Sequence, residues 1–141
     1  MDTKKVIGAL NEALEMELAT AMRNLHYSFM IFGPGRKPLV EFFRAEVTES
    51  IGHAAKMGEK ITALGGRPTV KVSAIHEPQQ YDTESILRES LKHEEGAVKL
   101  YSRILELVQD DTPLRVLFED QVLQEQEHVE ELRKYLRPQP A

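Results

Sequence analysis

Apolar residues recur at helical spacing along four stretches of the chain, and in each stretch a polar residue interrupts the apolar stripe near its midpoint. The first stretch runs without proline from Thr3 to about Phe32, with Leu10, Leu14, Glu17, Ala21, Asn24 and Ser28 on one face. Glu17 stands where a leucine would be expected. Gly33, Pro34, Gly35 and Pro38 break the pattern, so the second helix, from about Pro38 to Leu64, should run antiparallel to the first. Its stripe is Leu39, Phe42 or Phe43, Glu46, Ser50, His53, Met57 and Ile61 or Leu64, closed by Gly65, Gly66 and Pro68. Gly52 and Gly58 inside it each cost about 1 kcal/mol against alanine, so they either weaken the helix signal or mark close helix approach.

Arg67 to Asp82 carries Pro68, Pro78 and a short run, Thr69 to Val72, with no helical period. Extended, this connector reaches roughly 50 Å, enough to cross a helix of about 42 Å and leave helices two and three parallel. Thr83 is the expected N-cap of helix three, which runs to about Gln109 on Leu87, Leu91, Glu94, Val98, Tyr101, Leu105 and Val108. Asp111 or Thr112 caps helix four, with Pro113 at its first position. The fourth stripe is Leu114, Phe118, Gln121, Glu125, His128, Leu132 and Tyr135, and the tail from Arg137 to Ala141 is too short for a fifth helix. The expected fold is all-α, a four-helix bundle with one long crossover connection between helices two and three, residues 1–141 forming a single domain.

Composition narrows the chemistry. The 141 residues carry a net charge of −5 with both signs interspersed, so no basic face points to nucleic acid. No apolar run spans a bilayer and no secretory leader pattern is present, which makes the cytoplasm the expected location. With no cysteine, thiolate metal sites, iron–sulfur clusters and thiol nucleophiles are excluded, whereas a His/carboxylate metal site is not.

Midpoints of long antiparallel helices meet at the waist of a bundle. Glu17, His53, Glu94, Glu125 and His128 should therefore converge on one buried layer, Glu125 and His128 sharing a helix face at i and i+3. The two halves repeat weakly, each a hairpin with a carboxylate on its first helix and a histidine on its second. Buried carboxylates need positive charge, and no lysine or arginine occupies the middle of any stripe. A metal ion supplies that charge most simply, and oxygen with imidazole suits iron or manganese, with zinc also able to bind. Asn24, Ser28 and Gln121 are either core polar groups or partners of the ligands. Tyr101 reads as core packing, and His26, His76 and His93 as surface or interface residues.

The chain resembles the ferritin-like superfamily, and bacterioferritin most closely within it. Di-iron carboxylate proteins of that superfamily take a Glu from each of two helices and a Glu-x-x-His from each of the other two. Glu17, His53 with the Gly65 to Pro68 ending, Glu94, and Glu125 with His128 match that order across nearly the whole chain. Ser50 stands where the second-helix carboxylate belongs, so Glu46 or Glu49 is the expected substitute, and with neither the site would hold one metal or two weakly. Ile51 occupies the place of the bacterioferritin haem methionine, so no haem is expected, and Asn24 stands at a family tyrosine position.

The resemblance implies an iron-binding protein, at least a homodimer, that oxidises Fe(II) with O2 or peroxide for storage or detoxification. Without a fifth helix, assembly into a full cage is in doubt. Two other readings are a bundle with a degenerate site acting in binding or scaffolding, and a rubrerythrin-like peroxidase lacking that family's cysteine-rich electron-transfer domain.

Overall fold

The computed structural model describes residues 1–140, in which the chain forms four α-helices and no β-strand: α1 (Thr3–Met30), α2 (Arg36–Ala63), α3 (Thr83–Leu107) and α4 (Thr112–Leu136). Two compact units arise, one of residues 1–77 and one beginning at Pro78, each built on a helical hairpin. None of the helices is long and apolar enough to cross a membrane among the described residues.

In the first unit Asp2 caps α1, its carboxylate accepting from the Lys5 amide at 3.1 Å. The chain turns at Gly33, whose φ of 93° suits glycine, and α2 starts two residues before Pro38, which is tolerated in a first turn because amides there have no intrahelical partner. At the far end Gly65, with φ 84°, donates to the Thr62 carbonyl and Gly66 to the Ile61 carbonyl. That pair of bonds is the Schellman ending anticipated from the double glycine.

α1 and α2 pack antiparallel, their register fixed by Tyr27 against Phe43 at 5.5 Å between ring centroids and by Asn24 opposite Glu46. Every expected stripe residue of α1 is buried. On α2 the open choices fall to Phe43 and Ile61, both with 0% exposure, while Phe42 and Leu64 are half-buried. Of the two readings of Gly52 and Gly58, close approach is the one set aside, since a Cβ at either would touch nothing within 4 Å.

The connector lies along the outer face of α1. Thr69 donates its amide to Asn11 Oδ1 at 2.8 Å and its hydroxyl to Glu15, Asn11 donates to the Arg67 carbonyl, and the Ser73 amide donates to the Glu15 carbonyl. Further along, Glu77 comes within 3.7 Å of His26. Ala19 and Arg23, which the helical period places on this face, are buried.

In the second unit the N-cap of α3 is Asp82 rather than Thr83. Its carboxylate accepts from both the amide and the hydroxyl of Ser85, a geometry a threonine one residue later does not offer. These bonds favour the ionised form and hold the Asp82 carboxyl below its ordinary pKa, the Ser85 hydroxyl contributing most. Asp111 caps α4 through the Leu114 amide, which places Pro113 at the second helical position instead of the first.

α3 also presents a different inward line from the one expected. Leu87, Ser90, Glu94, Ala97, Tyr101, Ile104 and Val108 are buried, and Leu91, Val98 and Leu105 sit half-buried on the flank. A stripe stepping by three and four has two nearby phases, and the small Ser90 and Ala97 occupy the inward one. Tyr135, expected on the α4 stripe, is 43% exposed in the last turn. Tyr101 stacks near Phe118 at 5.8 Å and Arg133 reaches Glu95 at 3.1 Å, so α3 and α4 run antiparallel. Residues 138–140 form no helix, and Ala141, the last residue of the expected tail, lies outside the described residues.

Candidate metal centre

Each hairpin brings a carboxylate and an imidazole together at its middle. In the first, Glu17 on α1 and His53 on α2 are both buried, with His53 Nδ1 3.5 Å from Glu17 Oε1. The other ring nitrogen, Nε2, is 3.8 Å from Glu49, whose side chain is one-third exposed. Ser50, at the position where a carboxylate was sought, is buried beside them. One turn earlier on α2, Glu46 is buried and accepts a hydrogen bond from Asn24 Nδ2 at 3.2 Å.

In the second hairpin His128 Nδ1 lies 3.4 Å from Glu125 Oε2 on its own helix and 3.6 Å from Glu94 Oε2 on α3. Both carboxylates are buried, and His128 is about one-fifth exposed on its side chain. The remaining histidines stay apart from these pairs. His26 reaches Glu77 and His93 reaches Glu89 one turn back on α3, while His76 is exposed in the connector.

Two buried polar groups flank this second pair. Gln121, fully buried one turn before Glu125, has neither its amide oxygen nor its amide nitrogen hydrogen-bonded, and the same holds for the hydroxyl of Ser90, one turn before Glu94. Gln121 stood on the expected stripe, but Ser90 did not. The signal for it was the alternative phase of the α3 pattern.

The charge balance of the buried set fits a cation. Glu17, Glu46, Glu94 and Glu125 are buried, and Arg23, the one buried basic chain of the described residues, lies on the connector side of α1. Burying a carboxylate costs several kcal/mol unless it is paired, protonated or bound to a cation, and with two buried in each hairpin and no buried lysine, a bound cation suits either one. Carboxylate oxygen with neutral imidazole is the donor set of iron, manganese or zinc.

A ferritin-like domain model matches residues 7–138. No curated protein gives a significant sequence match. Among solved structures, a ferritin-like diiron-carboxylate protein from Bacillus anthracis str. Ames is 31% identical with a TM-score of 0.91, covering 97% of this chain and 99% of that one. Rhodobacter capsulatus bacterioferritin, described with a metal-free dinuclear site and haem iron, is 26% identical at a TM-score of 0.86, covering 94% and 84%. The dodecameric thioferritin of Bacteroides fragilis is similar in fold alone, 23% identical with a TM-score of 0.89 and coverage of 96% and 86%. With four helices, no strand among the described residues and a match over most of its length, the chain belongs to the ferritin-like family and has that family's all-α four-helix-bundle fold.

Proposed function

We propose that this protein binds iron through Glu17, His53, Glu94, Glu125 and His128, with Glu46 or Glu49 as a sixth donor, and oxidises Fe(II) to Fe(III). In this reading residues 1–141 act as one domain. The observation that carries it is the pairing, in each hairpin, of a buried glutamate with a mid-helix histidine. Carboxylates favour the more highly charged ferric ion, and neutral imidazoles hold the metal while adding no negative charge. Two ferrous ions give up one electron each. Together with two protons those electrons convert O2 to hydrogen peroxide, or, with peroxide as oxidant, convert it to two molecules of water.

Storage or detoxification of iron in the cytoplasm is the role that follows. Ile51, half-exposed on α2, offers no atom able to ligate haem iron, so the reading includes no haem. Self-association is part of it: Met22 and Phe29 on α1, Phe32 just beyond it and Ile51 on α2 are all at least half exposed, and covering them with a second copy would remove apolar surface from water. A homodimer or larger assembly is the expected state. The Bacteroides relative, a dodecamer, supports this direction.

The test is anaerobic loading of the metal-free protein with Fe(II), followed by oxygen or peroxide. Two irons per chain, with oxidation lost in Glu94→Ala, is the expected result. Absence of both binding and oxidation would sink the proposal in favour of a scaffold role, and turnover with peroxide alone would favour the peroxidase reading. Solution mass against the 16.1 kDa chain separates monomer, dimer and cage.

A further inference from the structure

The two hairpins are related by a shift in numbering that can be read through their cores. The shift that carries His53 onto His128 also carries Leu39 onto Leu114, Phe43 onto Phe118 and Met57 onto Leu132, and all of these but the partly exposed His128 are buried. A similar shift carries Leu10 onto Leu87, Glu17 onto Glu94 and Asn24 onto Tyr101. Under the first shift Ser50 falls on Glu125 and Glu46 falls on Gln121. α2 therefore reads carboxylate then neutral group, and α4 reads neutral group then carboxylate, at the same two inward positions.

We infer that the α2 carboxylate has moved one turn, so that Glu46 and not Glu49 is the sixth metal donor, with Asn24 as the residue that positions it. This rests on the metal-binding reading above. Four residues of helix are about 6 Å of rise, a distance within the sweep of a glutamate side chain and a bound metal, so the move changes the direction of approach without losing the donor.

Three observations carry the choice of Glu46. It is buried, whereas the Glu49 side chain is one-third exposed and already lies beside His53 Nε2. Its Oε2 accepts a 3.2 Å bond from the Asn24 amide, a neutral donor that orients the carboxylate. Gln121, at the related position on α4, is neutral, so a carboxylate one turn from the motif is peculiar to α2 and the total stays at four.

Titration of the metal-free full chain with Co(II), followed by calorimetry and by the visible absorption of the bound ion, tests this without any turnover. The wild type should take two equivalents. Glu46→Gln should lose one of them, or bind it at least about ten-fold more weakly, while Glu49→Gln keeps both. Asn24→Leu should weaken the same equivalent by about ten-fold. In the Glu46→Gln background, Ser50→Glu should restore the second equivalent by returning the carboxylate to the position that matches Glu125. Helicity and melting temperature of each variant, measured without metal, show that it is folded. If Glu94→Ala loses cobalt while Glu46→Gln keeps both equivalents, the relocation is wrong and the site survives. If neither Glu94→Ala nor Glu46→Gln alters binding, the metal reading itself fails.

Discussion

Across the α1–α2 interface, Nδ1 of His53 stands 3.5 Å from Oε1 of Glu17, and both side chains are more than nine-tenths buried. Helical spacing alone put each residue on an inward stripe, and the antiparallel register made them neighbours. A ligand that binds only the folded chain stabilises it in proportion to the logarithm of its excess, roughly 2.7 kcal/mol at one hundred times its Kd. Co(II) at that excess should therefore raise the melting temperature by about 5–10 °C. Glu17→Gln with His53→Ala should lose at least half of that rise. A rise unchanged in the double variant would mean that the metal binds elsewhere.

The Asp82 cap makes stability sensitive to acid. Bonds from Ser85 hold its carboxyl below the ordinary value in the folded chain, so the unfolded chain binds the proton more readily. The contribution is complete above the ordinary carboxylate pKa and is lost as pH falls through the lower folded value. Asp82→Asn keeps a capping oxygen and does not titrate. The stability advantage of the wild type over this variant, measured by urea unfolding, should be constant near neutrality and shrink in acid. An advantage that grew in acid would contradict the Ser85 contacts.

The helices, hairpin turns and polar interruptions were legible because they depend on local period and on breakers. Leu10, Leu14 and Glu17 declare a face whatever they pack against, and Gly65 with Gly66 declares an end. The phase of α3 was not, because Leu91 and Ser90 both satisfy a three-and-four rhythm and only packing decides between them. The Asp82 cap was displaced by one residue from expectation because Thr83 is an equally acceptable capping type, and the hydroxyl of Ser85 decided the matter. Burial of Arg23 and Ala19 was invisible for another reason: it depends on where the connector lies, and that is set by Asn11 and Glu15 bonding to Arg67, Thr69 and Ser73. The candidate donors were each readable, but the bond between Asn24 and Glu46 needed the register of α1 on α2.

The glycines separate into two kinds with opposite consequences. A Cβ at Gly58 or Gly96, both inside helices, meets nothing within 4 Å, so Gly58→Ala and Gly96→Ala should each stabilise by about 0.5–1 kcal/mol through reduced freedom of the unfolded chain. A Cβ at Gly66 would sit 2.7 Å from Ile7 Cγ2 and 3.1 Å from Ile61 Cγ2. Both are branched side chains, and Ile61 is fully buried, so Gly66→Ala should destabilise by about 1–3 kcal/mol. Chemical unfolding of the metal-free variants reads both signs, and equal effects at Gly58 and Gly66 would refute the distinction.

Gln121 offers a test of the polar layer that is independent of metal. Its side chain is fully buried and neither amide atom is hydrogen-bonded, which imposes a desolvation cost with no compensating bond. Leucine has nearly the same volume and removes that cost. Gln121→Leu should therefore stabilise the metal-free protein by about 1–2 kcal/mol, seen as a higher urea midpoint at unchanged slope. The same variant should leave the Co(II) stoichiometry at two, because Glu125 and His128, one and two turns further along α4, keep their positions. Destabilisation by the leucine would show that the amide is satisfied in solution, and loss of a cobalt equivalent would make Gln121 part of the metal centre rather than the neutral counterpart of Glu46.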